Sequence, residues 1–383
     1  MVKKVSVIAV AICLLAGLCG VAAAADTIKI GFNAPMTGFA ASDGKSSTEG
    51  AKLAVNQINA AGGVLGRQLE LVVYDDQAKP AQAIPIASKL IGQDKVVVGI
   101  SGSYSGATRS AAGVFQEAGI PYISAYAIHP DVTRAGEYVF RTSFLGEVQG
   151  KAGAKLIGEM MGQKKVVIIT LQNDFGKSLA AGFKDKASAY GINVVAEYQY
   201  SIKDRQFGAI VAKVKADKPE AIYASGYYFT AGPLVSQLRA AGVVCPIIGQ
   251  EGYDSQKFIE IAGPAAEGII ITTSLDRDSK VPETADFIAA FEKQAGFKVD
   301  MVAASGHTAV MVAADAIERA GSTADDKVLA ALKTTDLKVS TGTIKFNALG
   351  EVMKAVQVQV VKDGNWHHYA VIDDAALLAP PEK

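Results

Sequence analysis

The 383-residue sequence predicts an α/β protein made of two doubly wound lobes, and three observations carry that expectation. Short β-branched runs alternate with longer amphipathic segments in βαβαβ order. The runs are almost continuously apolar, as strands of a parallel sheet covered on both faces must be. The alternation restarts near the middle of the chain and reproduces itself, so the halves should be architectural siblings. Length agrees, because at ~150 residues per domain this chain asks for two to three domains.

The first half reads strand 28–32, helix 48–61, strand 69–74, helix 81–91, strand 96–100, helix 106–118 and strand 121–125. In the first helical segment Ala51, Ala54, Val55 and Ile58 recur at three- and four-residue spacing, and Gly62-Gly63 closes it as a C-terminal cap. The second half begins with helix 149–161 and strand 166–171. Helices 177–190, 207–216 and 231–241 then alternate with strands 194–198, 221–224 and 247–250. After strand 269–274 come helices 282–295 and 303–320 and a late β-rich stretch at 342–346 and 356–362. No Pro-rich or Gly-Ser linker separates the halves, which points to several crossings rather than one tether.

Composition excludes whole classes of function. Half the residues are hydrophobic, 20% are charged, and 38 Lys plus Arg balance 38 Asp plus Glu, so neither long disorder nor nucleic-acid binding through bulk charge is expected. Residues 1–25 carry Lys3 and Lys4, an apolar stretch over 5–18 and four alanines before Asp26, the pattern of a cleaved secretory signal peptide. Leu18 stands where a lipid-attachment box before Cys19 wants a small residue, and no later stretch reaches the roughly 18 apolar residues of a spanning helix. Cleavage removes Cys13 and Cys19, leaving Cys245 in a strand-like apolar run as a buried small hydrophobe without a disulfide partner.

Catalytic signatures fail one by one. Gly176-Lys177-Ser178 lacks the upstream glycine of a phosphate loop, since Leu171 holds that place. Gly102-Ser103-Tyr104-Ser105-Gly106 has tyrosine where a nucleophilic serine would stand. His129, His307, His367 and His368 have no second ligand at metal spacing, and the adjacent pair reads as a solvated strand end. Asp75 and Asp76 point to opposite faces of a strand, so capping or solvation suits them better than shared catalysis. No enzyme activity, cofactor or metal is expected. The loop from Ser101 to Thr108, hydroxyls and glycines leading into a helix, has two readings: a cradle for an anionic group such as a carboxylate, or capping of that helix by Ser103 or Ser105.

The residues resemble a known family, the type I periplasmic solute-binding proteins of branched-chain amino acid ABC transporters. Its marks are Ile30-Gly31 to Met36-Thr37-Gly38, the run from Gly50-Ala51 through Asn56-Gln57-Ile58-Asn59 to Gly66, Tyr74-Asp75-Asp76, Gly249-Gln250-Glu251-Gly252 and the stretch Ala262-Gly263-Pro264 to Gly268. The resemblance spans the whole mature chain. It implies two lobes joined by three hinge crossovers, 26–145 with 276–352 and 146–275 with 353–383, closing on a ligand in the cleft. It implies delivery to an ABC permease in the inner membrane, a periplasmic location, a monomer, and no chemistry on the ligand.

By the same resemblance, the ligand carboxylate meets Ser103 and the segment Tyr126-Ala127-Ile128, its ammonium meets Glu251, and Tyr227 comes from the second lobe. Tyr104 and Phe175 complete the expected site. Ile128 replaces a usual Thr or Ser, Phe175 a usual Tyr, and Asp43 a frequent aromatic; the family's first-lobe disulfide positions are Ala78 and Gly102 here. The cleft loops carry Tyr104, Tyr126, Phe175, Tyr227, Tyr228, Phe229 and Tyr253, dense for a chain with 7% aromatics. An amino acid or amino-acid-like ligand with an apolar or aromatic side chain is expected. The alternatives are an aromatic carboxylate or small amide, or a sensing ectodomain instead of a transport component.

Overall fold

The computed structural model describes residues 27–381; the expected signal peptide, with Cys13 and Cys19, lies outside the described residues. The first sheet contains β1 (Ile28–Ala34), β2 (Leu69–Asp75), β3 (Val98–Ser101), β4 (Tyr122–Ser124) and β5 (Val139–Arg141). They are all parallel, in the order β2-β1-β3-β4-β5. The second sheet starts with β6 (Lys165–Leu171), β7 (Asn193–Tyr200), β8 (Ala221–Ala224), β9 (Ile247–Gln250) and β10 (Ile270–Thr273), parallel in the order β7-β6-β8-β9-β10. The two orders are the same permutation, so the halves are siblings. A hairpin of β11 (Asp336–Val339) and β12 (Gly342–Lys345) stands apart, and antiparallel β13 (Val356–Lys362) and β14 (Asn365–Ile372) extend the second sheet beyond β10.

Helices α1 (Ala41–Ala60), α2 (Pro80–Lys89) and α3 (Ser105–Ala118) follow the first three strands. The second lobe carries α4 (Gly146–Lys155), α5 (Asp174–Ala187), α6 (Gly208–Asp217), α7 (Tyr228–Ala240) and α8 (Gln256–Ala262). The chain then returns to the first lobe with α9 (Pro282–Ala295), α10 (Met301–Ala320) and α11 (Asp325–Lys333), and α12 (Ala375–Leu378) closes the described chain against α4. The polypeptide thus crosses between lobes three times, over residues 142–145, 274–281 and 352–355. Strands β3, β8, β9 and β10 are buried at every residue, and their polar residues Ser101, Gln250, Thr272 and Thr273 stand at the carboxyl ends.

Helices α1 and α10 pack almost backbone to backbone. A Cβ on Gly50 would lie 2.0 Å from the Ala303 carbonyl oxygen, so this contact requires glycine. It holds the returning segment to the first lobe, whose N-terminal residues then reach the cleft.

Several expectations are corrected. Helix α1 begins at Ala41, seven residues before the expected start, because Ser46, Ser47 and Thr48 are buried polar residues that apolar periodicity does not register. Cys245 lies in a bend before β9, half-buried, rather than inside a strand. Asp76 is buried, not solvated: it accepts from Asn33 Nδ2 at 2.7 Å, Ser103 Oγ at 3.0 Å and the Ala78 N–H at 2.8 Å. His367 and His368 lie within β14 and face Asp278 and Asp276. Among the described residues no His, Cys, Asp or Glu cluster suits a metal ion, and no helix is long and apolar enough to cross a membrane.

Candidate ligand-binding site

Sheets of this kind present their loops and helix N-termini at the carboxyl ends of the strands. Here those ends face each other across a small cavity between the lobes. From the first lobe come Asp43 in the first turn of α1, Tyr104 and Ser105 at the start of α3, Tyr126 and Ala127 after β4, and Met301 and Val302 opening α10. The second lobe adds Phe175 in α5, Tyr227 before α7, and Glu251 and Gly252 after β9. Met301 is there because Asp300 caps α10, accepting the Ala303 N–H at 2.9 Å.

Aromatic rings join the lobes. Tyr104 and Tyr227 stack across the cleft with centroids 4.1 Å apart and planes 3° from parallel. Phe175 stacks on Tyr227 at 4.7 Å, and Phe39 meets Phe229 edge-on at 5.3 Å. Tyr228 donates its hydroxyl to the Phe39 carbonyl at 3.2 Å, and Arg109 pairs with Asp174 at 3.1 Å on the rim. The lobes are therefore in contact at the lip through these rings, this hydroxyl and this ion pair. Tyr253 does not take part; it is buried in the second lobe against Phe258.

Six of the eight expected site residues line the cavity: Tyr104, Tyr126, Ala127, Phe175, Tyr227 and Glu251. Ser103 does not, because its hydroxyl is turned down into Asp76. Its neighbour Ser105 takes that place, with a buried hydroxyl that has no hydrogen-bond partner. No side chain caps the N-terminus of α3, so the capping reading of this loop is not realised and its first N–H groups remain for an anion. Ile128 also stands back from the cavity; it is buried, and its carbonyl accepts the Gly146 N–H at 2.9 Å at the first crossover.

The Ala127 segment is held from behind. Arg141, at the end of β5, donates to the carbonyls of Ala127 and His129, the latter at 2.7 Å. The same guanidinium is gripped by Glu351 near the third crossover, Nε to Oε2 at 2.9 Å and a second contact at 3.2 Å. Both side chains of this pair are buried, so the cavity wall is fixed to the hinge by a desolvated fork.

Charge at the site is dominated by carboxyls. Burial pushes Asp43 up to about 8, with the nearby Asp300 adding to it, while the Tyr104 hydroxyl donates to Asp43 Oδ2 at 2.7 Å. Burial likewise raises Asp300 to about 7 and Glu251 to about 8. Glu251 Oε2 is buried without a hydrogen-bond partner. A group that is both desolvated and unpaired inside a cavity is a candidate contact for a ligand cation or donor.

Gly252, Met301 and Val302 escaped the sequence reading as site residues, Ser105 stood there only within the cradle loop and as a candidate cap, and Asp43 was only a departure from a pattern. A legible signal existed for two of them, since Asp300 before Met301-Val302 is a helix N-cap. Ser105 had none, because either serine of its loop could face inward.

A periplasmic binding protein family model matches residues 27–365. A "Leucine-, isoleucine-, valine-, threonine-, and alanine-binding protein" of Pseudomonas aeruginosa is 32% identical over 342 residues, 88% of this chain and 90% of that protein. The crystal structure of a branched-chain amino acid transporter substrate binding protein from Streptococcus pneumoniae in complex with isoleucine superimposes with a TM-score of 0.86 at 30% identity, covering 91% of this chain and 99% of that one. A solute binding protein of an ABC transporter from R. palustris in complex with benzoate superimposes with a TM-score of 0.83 at 26% identity, over 91% and 99% of the two chains. With its paired sheets, triple crossover and interlobe cavity, the chain belongs to the periplasmic binding protein family.

Proposed function

We propose that this protein is the extracytoplasmic receptor of an ABC importer and captures an amino acid with an apolar or aromatic side chain between its lobes. The observation that carries this reading is the pairing, in one cavity, of an uncapped helix N-terminus with Ser105 on one lobe and unpartnered Glu251 on the other. An α-carboxylate suits the first and an α-ammonium the second. The rings of Tyr104, Phe175 and Tyr227 then cover the apolar side chain. Two bodies, 26–145 with 276–352 and 146–275 with 353–383, close about the crossovers, and differential affinity for the closed form drives the motion. The receptor is exported by a cleaved signal peptide, acts as a monomer in the periplasm, and hands its ligand to an inner-membrane permease without making or breaking a bond. A sensing ectodomain would use the same site but have no permease to serve.

Titration calorimetry of the mature protein with L-leucine and L-phenylalanine tests the reading. Glu251→Gln is expected to weaken both at least about tenfold, as loss of a buried charge-assisted contact should. Equal affinity in the variant would remove Glu251 from its role. A second reading, an aromatic carboxylate ligand, is favoured by the aromatic lining of the cavity, Tyr104, Tyr126, Phe175 and Tyr227. Binding of 4-hydroxybenzoate but of neither amino acid would select it.

A further inference from the structure

The residues that line the cavity include two carboxyls, Asp43 from the first lobe and Glu251 from the second, and no lysine, arginine or histidine. Asp43 is 6% exposed and sits in the first turn of α1. Its place is fixed: a Cβ on the next residue, Gly44, would lie 2.1 Å from the Pro35 carbonyl oxygen, so that turn is pressed onto the loop after β1. Among the described residues the Asp43 side chain has one hydrogen-bond donor, the Tyr104 hydroxyl, which reaches Oδ2 at 2.7 Å. An ionised carboxyl has room for about four. Asp300, which opens α10 beside the same cavity, brings no donor, because its carboxyl is taken by Ser46 Oγ at 2.6 Å and the Ala303 N–H at 2.9 Å. Lys45, the nearest basic residue in sequence, stands over the Phe297 ring instead. A buried carboxyl with one bond and no cation is costly, so the ligand is what can complete it.

We propose that Asp43 is a specificity-determining residue that accepts a hydroxyl from the ligand's side chain, so that the site prefers hydroxylated amino acids to purely hydrocarbon ones. This rests on the site proposed above and narrows its ligand class. The ligand carboxylate and ammonium engage Ser105 and Glu251, which leaves the side chain to the rings and to Asp43. Two of the tyrosine hydroxyls in the cavity are already committed, Tyr104 to Asp43 and Tyr126 to the Gly102 carbonyl, so the open acceptor on the first lobe is the Asp43 carboxyl. The same carboxyl orients the Tyr104 ring that stacks on Tyr227, and a ligand hydroxyl bound there ends beside the contact between the lobes. A site that holds a buried acceptor for a hydroxyl rejects the analogue lacking it, whereas a hydrocarbon pocket barely tells the two apart.

Two pairs of amino acids that differ in one hydroxyl, L-threonine with L-valine and L-tyrosine with L-phenylalanine, test this on the mature full-length protein by titration calorimetry. The pairs place the hydroxyl at short and at long reach. The wild type is expected to bind the hydroxylated member of at least one pair about tenfold or more tightly than its partner, as a hydrogen bond to a charged group should give. Asp43→Leu should bring that ratio to within about threefold of one while leaving the hydrocarbon member bound as well or better. Asp43→Asn serves if the leucine variant does not fold, and should cut the ratio at least about fivefold by removing the charge. Tyr104→Phe takes away the donor that Asp43 has and should preserve the ratio or raise it, which separates a contact with the ligand from positioning of the ring. A wild-type ratio below about tenfold in both pairs, a ratio that survives Asp43→Leu, or one lost equally in Tyr104→Phe overturns the role of Asp43 while leaving the amino-acid reading standing. Binding of none of the four, nor of L-leucine, overturns both.

Discussion

The two lobes share one strand order but spend their polar residues differently. In the first lobe the loops at the carboxyl ends rest on a connected polar network, within which Ser47 Oγ and Ser105 Oγ are buried without partners. Tyr122 donates to Asn33 Oδ1 at 2.8 Å, Asn33 and Ser103 both donate to Asp76, and Ser101 bonds Thr108 at 2.7 Å beneath the start of α3. In the second lobe the corresponding layer is aromatic and underbonded: Glu251 Oε2, Tyr223 Oη, Tyr253 Oη and Thr272 Oγ1 are all buried without partners. A connected network rigidifies what it supports, whereas orphaned groups await a partner. The difference teaches a division of labour on a common scaffold, with a preformed anion site on one side and a stacking, charge-seeking wall on the other. Four perturbations separate the two sides.

The largest effect is expected where the lobes are tied together. Arg141→Met strands Glu351 as an unpaired buried carboxylate and releases the carbonyls of Ala127 and His129. Breaking such a pair costs about 3–5 kcal/mol, to be read as a fall in the urea midpoint. A loss below about 1 kcal/mol would mean that the first-lobe wall stands without its hinge anchor.

The second perturbation is pH. Asp43, Asp300 and Glu251 are all raised, chiefly by burial. Each keeps its proton in the folded chain after the unfolded chain has lost it, so the folded state is favoured at low pH and loses that advantage as pH climbs toward 7–8. The slope is about 1.4 kcal/mol per pH unit for each such group. Burial lowers Lys354 to about 7, and this works in the opposite sense above that point, adding stability as pH rises. Scanning calorimetry should therefore find Tm falling from pH 5 to 7 and levelling beyond 8. Asp43→Asn should flatten the descent, and a Tm rising steadily over the same range would contradict the assignment.

A paired experiment then sets the lobes directly against each other. Asp76→Ala orphans the donors of Asn33 and Ser103 and is expected to cost about 1–3 kcal/mol of stability. Tyr227→Ala removes a ring stacked on both Tyr104 and Phe175 and should cost ligand affinity, roughly tenfold, for stacking worth about 0.5–1.5 kcal/mol beyond buried area. Stability should respond mainly in the first case and affinity mainly in the second. The reverse pattern would erase the contrast between the lobes.

How much of this was legible beforehand follows from the same contrast. Apolar periodicity located β8, β9, β13 and α9 to within a residue or so, because buried strands and amphipathic helices are read directly from hydropathy. It missed β5, three residues long, and β14, an edge strand with exposed polar positions. It also placed the start of α1 too late, where a polar segment is buried by α10 and the cavity. The second-lobe residues Phe175, Tyr227 and Glu251 were legible through the family resemblance, at positions that follow β6, β8 and β9. The first-lobe site depends on which of two serines turns inward, and Asp76 decides that from 27 positions away.

The smallest effect concerns the rim. Arg109 bridges to Asp174 of the second lobe at 3.1 Å and also lies 3.5 Å from Asp131. Its side chain is 44% exposed, so solvent and salt screen the pair. Arg109→Ala should change ligand affinity by less than about threefold, in line with the ~0.2–1 kcal/mol of exposed pairs, and 0.5 M salt, roughly, should reproduce most of that change in the wild type. If affinity instead fell tenfold or more, closure would be governed by rim charge and not by the stacked rings beneath it. The second lobe would then act through its surface, and Tyr104 and Tyr227 would be packing for a closure already decided outside the cavity.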